Sequence, residues 1–247
     1  MKRKKIFKKL KKLKKIKLKY LLPILTSMTL IYTGYYIFDD IFHFTKKEIV
    51  ISYDIGDIPK YNGNNHIIIN DNIPNFTNIS NTNKEFQQFS DLDNLGRSGP
   101  AIANIGYDMM PTTERGSIGG IRPTGWHTIK YDSIDGKYLY NRCHLIGYQL
   151  TGENANTKNL ITCTRQMNTI GMLPFENKIA EYIKRTKHHV LYRVTPIFEN
   201  NNLLAIGVQM EAKSVEDNEI SFNIFVYNVQ DGIEINYKNG NSKIESN

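Results

Sequence analysis

The chain has 247 residues and a formal net charge of +8, with 32 Lys and Arg against 24 Asp and Glu. Twelve of the basic residues and none of the acidic ones fall in residues 1–20, which leaves 20 basic and 24 acidic residues in positions 21–247. A protein that is basic throughout is therefore excluded, and any surface that binds a polyanion has to be locally positive. The length suits one domain of ordinary size plus a tail.

An uncharged, largely apolar segment, residues 20–38, directly follows this basic tail. Its nineteen residues are enough for a helix to cross about 30 Å of hydrocarbon. Lysines precede the segment and Asp39 and Asp40 follow it, so we expect a transmembrane signal-anchor with residues 1–19 as a basic cytoplasmic tail. A cleavable signal peptide, which would make the protein secreted, is the rival interpretation, although no small-x-small cleavage pattern follows the apolar run. A basic helix on the membrane surface would suit residues 2–19 alone.

The rest of the chain divides by composition near residue 89. Residues 39–88 are rich in Asn, Ile and Asp and are broken by Pro59 and Pro74, which predicts an extended linker or arm laid over the domain. Within this arm, residues 66–70 are typical of a short buried strand. Residues 89–247 are expected to form the compact domain.

The patterns of the C-terminal half predict an α+β fold with a central antiparallel sheet. A strand at residues 137–140 is expected to end at a polar quartet, residues 141–144. Residues 174–185 have the apolar periodicity of an amphipathic helix, with Pro174 in its first turn. Three long strands are predicted after this helix, at residues 189–198, 203–212 and 221–229.

Four polar residues, His144, Asn159, Asn168 and Glu176, follow one another at short spacing. A histidine can take a proton from water, and an amide oxygen can hold Mg²⁺ without cancelling its charge. Arg142, beside the histidine, can face a phosphate. Taken singly, Asn168 could be a helix cap and Glu176 a partner of the helix dipole. Together they favour a site that hydrolyses phosphodiesters with one hard metal ion.

This pattern resembles the DNA/RNA non-specific endonuclease family, whose signature is Asp-Arg-Gly-His, then an Asn, then a metal-binding Asn and a Glu. The resemblance extends from about residue 91 to the C-terminus, and further segments that carry it are residues 110–112, 123–126, 171–177 and 225–229. The branch it looks most like is the membrane-anchored, DNA-entry type of bacterial nuclease. It implies a ββα-metal nuclease core whose central antiparallel sheet is flanked by helices.

The resemblance also implies a role for each site residue. His144 would activate the water that attacks phosphorus, and Asn168 would be the one direct protein ligand of Mg²⁺, for which Mn²⁺ can substitute. Glu176 would hold a metal-bound water, and Asn159 would order the site beside the metal. Arg142 would support the phosphate or the histidine. DNA is the implied substrate, with RNA left open, and the products carry 5′-phosphates; no small-molecule cofactor is expected.

A further arginine is expected to clamp the transition state. The candidates are Arg97, Arg115, Arg122 and Arg165. Arg115 is favoured, because it lies in the loop that the family places over the site, and Arg122 comes next. Each could instead be a solvated surface charge. Trp126 is interpreted as a core residue rather than as a platform for stacking bases.

Two positions depart from the family signature, since Asn141 replaces its Asp and Cys143 replaces its Gly. Loss of the carboxylate removes an orienting charge, which leaves open a catalytically silent nucleic-acid-binding surface protein. A secreted toxin nuclease would need a delivery domain, and none is recognisable. Retention of His144, Asn168 and Glu176 favours a metal-dependent, sequence-non-specific endonuclease outside the cytoplasmic membrane.

The chain has two cysteines, Cys143 and Cys163, which could be oxidised outside the cytoplasm. A bridge would stabilise the fold by about 3 kcal/mol in the chain-entropy model. The sequence does not give their Cα separation, so the bridge stays a hypothesis here. No cluster of Cys and His suggests a zinc site.

Overall fold

The computed structural model describes residues 58–77, 79 and 84–246. The predicted transmembrane segment, residues 20–38, and the basic tail before it lie outside these described residues. Among the described helices, none has the length and apolarity that a membrane span requires.

The described part of the chain contains ten strands and two α-helices. The strands are β1 (His66–Ile68), β2 (Phe86–Phe89), β3 (Ala101–Ile105), β4 (Tyr140–His144), β5 (Leu160–Thr164), β6 (Val190–Ile197), β7 (Gly207–Ser214), β8 (Ser221–Tyr227), β9 (Ile233–Ile235) and β10 (Ser242–Ile244). The α-helices are α1 (Tyr148–Thr151) and α2 (Leu173–Thr186), and a π-helical segment, Met167–Met172, leads directly into α2.

Six strands form an antiparallel sheet in the order β1-β8-β7-β6-β3-β2, and β4 with β5 and β9 with β10 form two-stranded ribbons. Alternation of side chains along the strands gives the sheet one strongly apolar face, which includes Tyr192, Met210 and Ile224. Ile179 and Ile183 of α2 belong to the same buried cluster. The predicted α+β fold with a central antiparallel sheet is therefore confirmed.

The helix predicted at residues 174–185 is confirmed as α2, with Pro174 in its first turn. Its apolar stripe is buried as predicted, because Ile179, Tyr182 and Ile183 face the sheet. The helix ends where Lys187 adopts a left-handed conformation with φ of 63°.

Two predicted strand positions were wrong. Of the strand expected at residues 137–140, Tyr140 alone belongs to β4, while Lys137 lies in a turn with φ of 66° and Tyr138 forms an isolated bridge with Lys130. The polar quartet itself forms the rest of β4. Strand β7 begins at Gly207 rather than at residue 203, because the amide of Leu204 donates to the carbonyl oxygen of Tyr237 outside the main sheet. The periodicity of the apolar residues alone cannot distinguish pairing with a segment outside the sheet from pairing within it.

Residues 58–77 lie against the sheet. Strand β1 pairs with β8, but as an edge strand with Ile68 64% exposed, so the prediction of a buried strand there was wrong. Farther along this arm, Asn75 contacts a buried ion pair between Arg193 and Glu211 on the second face of the sheet. The division of the chain at residue 89 stays a prediction, with β1 and most of β2 preceding it.

Candidate active site

One ββα unit carries the four polar residues that the sequence singled out. His144 ends β4 and pairs with Leu160 of β5, while Asn159 lies in the turn immediately before β5. Thr164 ends β5 and caps the following helix, because its hydroxyl oxygen accepts from the amide of Met167 at 3.0 Å. The hairpin thus leads straight into the segment that holds Asn168 and Glu176.

A disulfide between Cys143 and Cys163 joins the two strands of this hairpin. Their Cα atoms are 5.9 Å apart, a normal separation for a bridge. Both side chains are buried, and Cys143 directly precedes His144. The cysteine that replaces the signature glycine therefore cross-links the strand that carries the histidine.

His144 is 7% exposed and has a hydrogen-bond partner at each ring nitrogen. Nε2 lies 2.7 Å from the carbonyl oxygen of Asn154, and Nδ1 lies 3.1 Å from Nη2 of Arg115. Because a carbonyl oxygen can only accept, Nε2 carries the proton and donates, so the lone pair is on Nδ1. The pKa of His144 is lowered to about 4, chiefly by burial and also by the positive charge of Arg115, while the hydrogen bond to the carbonyl oxygen of Asn154 opposes the fall. The imidazole is therefore neutral at neutral pH and able to act as a base.

Glu176 is buried at the start of α2. Burial raises the pKa of its carboxyl to about 8, while a hydrogen bond from the amide of Gly147 and the charge of Arg115 oppose the rise. A Cβ on Gly147 would lie 2.7 Å from Oε2 of Glu176, so any other residue at this position would displace the carboxyl group. Arg115 thus acts electrostatically on both the histidine and the carboxylate.

Asn159 is fully buried and supports the turn that follows β4. Its Oδ1 accepts from the amide of Ile146 at 2.8 Å, and its Nδ2 donates to the carbonyl oxygen of the same residue at 3.0 Å. Its own carbonyl oxygen accepts from Leu145. Both ends of the amide are used, so Asn159 acts on His144 and Gly147 through the backbone between them.

Asn168 lies in the π-helical segment with a partly exposed side chain. Its amide makes no hydrogen bond to another described residue, whereas its carbonyl oxygen accepts from the amide of Leu173. Among residues 58–77, 79 and 84–246, no group of three His, Cys, Asp or Glu side chains is arranged to hold a metal. The available donors are the amide oxygen of Asn168 and the buried carboxyl of Glu176, which would serve a cation as its carboxylate, and such hard oxygen donors fit Mg²⁺.

Arg142 makes no hydrogen bond to the ring of His144 and instead contacts a neighbouring loop. Its Nε donates to the carbonyl oxygen of Ile121 at 2.5 Å, its Nη2 donates to that of Gly119 at 2.8 Å, and its guanidinium lies 3.9 Å from the centre of the Trp126 ring. These contacts hold the loop in place. The expectation that Arg142 supports the phosphate or the histidine stays a prediction.

The other candidate arginines have different partners. Arg122 shares the carbonyl oxygen of Gly119 with Arg142, whereas Arg97 pairs with Asp93, and Arg165 pairs with Asp135. Arg115 is the candidate that the structure brings to His144. Trp126 packs beside a buried cluster that includes Leu139 and Leu204, in line with its interpretation as a core residue.

Sequence reasoning missed two main-chain groups of this site, the carbonyl oxygen of Asn154 and the amide of Gly147. Neither group can be recognised from a side chain, because every residue has a carbonyl oxygen and every residue except proline has an amide. The glycine that follows Leu145 and Ile146 was the one signal in the sequence for this contact. A glycine lets another group, here the carboxyl of Glu176, come close to the backbone.

Comparisons with known proteins relate this chain to a nuclease family. The family model of the DNA/RNA non-specific endonucleases matches residues 77–216, more than half of the chain. A deoxyribonuclease of Streptococcus dysgalactiae subsp. equisimilis is 34% identical over 122 residues, which are 47% of this chain and 36% of that protein. The chain therefore matches well under half the length of this relative.

Solved structures are similar as well. NucA from Streptococcus agalactiae, solved with no metal and with magnesium bound, superposes with a TM-score of 0.67 at 25% identity over 77% of this chain and 92% of NucA. Sda1 nuclease with a bound zinc ion gives a TM-score of 0.55 at 28% identity, over 66% of this chain and 81% of that one. With the family model covering most of the compact domain, the chain belongs to the DNA/RNA non-specific endonuclease family.

Proposed function

We propose that this protein is a metal-dependent, sequence-non-specific endonuclease that hydrolyses phosphodiester bonds of DNA, with His144 as general base. The observation that carries the proposal is the state of His144: a buried, neutral imidazole held by Asn154 with its basic nitrogen directed at Arg115. Membership of the family and the similarity to a deoxyribonuclease support DNA as the substrate. RNA is a second substrate to be tested.

Arg115 links substrate binding to the base. In the substrate-free protein its Nη2 donates to the lone pair of Nδ1 of His144. A phosphate forms shorter and stronger, charge-assisted hydrogen bonds with a guanidinium than a neutral imidazole does. An incoming phosphate would therefore draw Arg115 from His144, which frees Nδ1 to accept a proton from the attacking water. Arg115 would then balance charge developing on the phosphate.

Asn168 and Glu176 are the residues that would hold the divalent ion. We propose that the amide oxygen of Asn168 binds Mg²⁺ directly and that Glu176 accepts hydrogen bonds from its bound water, with Mn²⁺ as a substitute. When bound, the ion stabilises negative charge on the phosphate and on the leaving 3′ oxygen, so the product keeps a 5′-phosphate. The magnesium-bound structure of NucA supports this choice of metal.

The lack of sequence preference follows from the groups involved. The arginine and the metal donors recognise phosphate, and the phosphate backbone carries no sequence information. Arg122 and Arg142, which share a carbonyl partner on the loop at residues 119–126, could contribute local positive charge beside the site.

We also propose that residues 20–38 tether the domain to the cytoplasmic membrane and that the nuclease domain lies outside it. The disulfide between Cys143 and Cys163 supports this location, because such bonds persist mainly in oxidising compartments. Protease added to intact cells should then digest the domain. Protection of the domain until lysis would contradict the proposed orientation.

The decisive experiment uses the purified full chain and supercoiled plasmid, with Mg²⁺ or with EDTA. Wild type should nick the plasmid only with the metal, and His144→Ala should lower the rate by about 1000-fold or more. His127→Ala is the matched control, because the ring of His127 contacts the carbonyl oxygen of Asn239 and makes no contact with His144. A rate near that of wild type in His144→Ala would refute the assignment of the base.

The alternative, a catalytically silent protein that binds nucleic acid, makes a different prediction in the same experiment. Plasmid would be bound, as shown by retarded migration, but would stay supercoiled with Mg²⁺ and with Mn²⁺. Such a result would mean that the two departures from the signature, Asn141 and Cys143, have removed activity. Cleavage of DNA and RNA at comparable rates would instead extend the substrate to both.

A further inference from the structure

The π-helical segment, Met167–Met172, interrupts an otherwise regular helix just where the metal donors lie. In this segment the amide of Leu173 donates to the carbonyl oxygen of Asn168, five residues earlier, instead of four as in an α-helix. Each π-helical turn adds one residue to the helix, so it changes which residues share a face. Asn168 precedes this additional residue and Glu176 follows it.

Helix geometry determines how far Glu176 is rotated from Asn168 about the helix axis. In an uninterrupted α-helix, residues eight positions apart point about 80° from each other, because each residue turns the chain by about 100°. One additional residue turns the following part of the helix back by about 100°. Asn168 and Glu176 are thereby brought to within about 20° of each other, so they share one face.

The π-helical turn buries apolar side chains at its two ends but not in its middle. Ile170, in the middle of the segment, is 57% exposed. Gly171, the next residue, has no side chain to bury. Met167 and Met172 are both buried, and they anchor the two ends of the segment in the core.

A close contact with the sheet holds the segment in place. A Cβ on Gly171 would lie 2.4 Å from Cγ1 of Val226 but 3.9 Å from Cβ of the same valine. Val226 is fully buried near the end of β8, between His66 of β1 and Val208 of β7, so close packing restricts its movement. The backbone of the π-helical turn thus packs at Gly171 against one methyl group of Val226.

We propose that Gly171 and Val226 are positioning residues for the metal site, because their contact maintains the π-helical turn that aligns Asn168 with Glu176. This inference rests on the proposed function, since it assigns the two aligned side chains to one metal ion. Any side chain at position 171 would push the segment off the sheet. The additional residue would then be displaced and Asn168 would turn away from Glu176.

Four variants test this proposal: Gly171→Ala, Val226→Ala, the double variant Gly171→Ala/Val226→Ala, and Gly171→Ala/Val208→Ala. In the first double variant the two new methyl groups are about 3.9 Å apart, an ordinary contact. Val208→Ala removes the same atoms from the neighbouring strand without making room for a methyl group at position 171. It is therefore the matched control for the loss of stability caused by a cavity.

Three measurements are made on each variant: the melting temperature, the Kd for Mn²⁺ from calorimetry, and hydrogen exchange at the amide of Leu173 in the metal-free protein. Gly171→Ala should weaken metal binding by about 10-fold or more and expose the Leu173 amide to exchange. The double variant with Val226→Ala should restore the Kd to within about twofold of that of Val226→Ala alone. The double variant with Val208→Ala should stay impaired.

The proposal is overturned if Gly171→Ala melts at a lower temperature but binds Mn²⁺ and protects Leu173 as wild type does, since the contact would then serve packing alone. It is also overturned if Val226→Ala and Val208→Ala rescue the metal affinity equally. Failure of the proposed function would be distinct, because wild type itself would then cleave no plasmid with any divalent metal. If wild type is inactive, hydrogen exchange at the amide of Leu173 still tests whether the contact between Gly171 and Val226 maintains the π-helical turn.

Discussion

The carbonyl oxygen of Asn154 lies 2.7 Å from Nε2 of His144, and this single main-chain contact fixes the tautomer of the histidine. The proton must be on Nε2, so the basic nitrogen is Nδ1, which faces Arg115. A substitution at position 154 would keep the carbonyl, so the contact is insensitive to the identity of that side chain. The orientation of the base is thus set by the path of the loop.

Titration of His144 should show a pKa far below that of an exposed histidine. The structure gives a folded-state pKa of about 4, and an unfolded chain has about 6.5. The unfolded state therefore binds more protons between these values, so stability is complete above about pH 6.5 and falls as the pH is lowered to about 4. Two-dimensional NMR of the imidazole gives the pKa directly.

The corresponding loss of stability, about 3 kcal/mol, can be followed by urea unfolding between pH 7 and pH 4. His144→Gln should lack this part of the pH dependence. An imidazole that titrates near pH 6.5 in the folded protein would contradict the buried, neutral state.

Removal of the positive charge at position 115 should affect both the histidine and the rate. In Arg115→Ala the pKa of His144 should rise, because the charge of Arg115 lowers it, although burial would keep it below its ordinary value. We expect kcat to fall by about 100-fold, since a group that stabilises transition-state charge is lost. Arg122→Ala is the control and should leave the pKa of His144 unchanged. An equal loss of rate in both variants would argue against a distinct role for Arg115.

The disulfide should matter for stability rather than for the chemistry. Cys143 and Cys163 are separated by 20 positions, so Cys143→Ser/Cys163→Ser should lower the free energy of unfolding by about 3 kcal/mol. Wild type should melt at a higher temperature without reductant than with it, whereas the double variant should melt at one temperature in both. Equal melting of oxidised and reduced wild type would show that the bridge contributes nothing.

The buried ion pair under the arm should be sensitive to loss of one partner. Arg193 and Glu211 are 7% and 1% exposed at their side chains, and Asn75 of the arm bonds to both. Glu211→Gln leaves a buried positive charge unpaired, so we expect the protein to lose about 3 to 5 kcal/mol of stability. Chemical denaturation measures this loss, and the plasmid-nicking rate of the folded variant should be unchanged.

Glu234→Gln provides the matched control for that measurement. Its partner is Lys243, and both side chains of this pair are largely exposed, so breaking the pair should have little effect. A comparable loss of stability in the two variants would show that burial is not the cause.

Local patterns in the sequence were enough to predict the fold class and the candidate set of site residues. The apolar stripe of α2 repeats at helical spacing, and the alternation in β6 and β8 repeats at strand spacing, because these periods follow from backbone geometry alone. The succession of His144, Asn159, Asn168 and Glu176 indicated the chemistry through the donor groups that such side chains carry. Each of these features is local in the chain.

Features that depend on contacts between distant segments became visible only in the folded protein. Arg142 and Arg115 look alike in the sequence, but only Arg115 reaches His144, while Arg142 binds the loop that carries Gly119. The π-helical turn likewise depends on packing against Val226, more than fifty positions away in the chain. Local patterns cannot encode such contacts, because a side chain's partner is selected by the folded path of the whole chain and by the space left beside it.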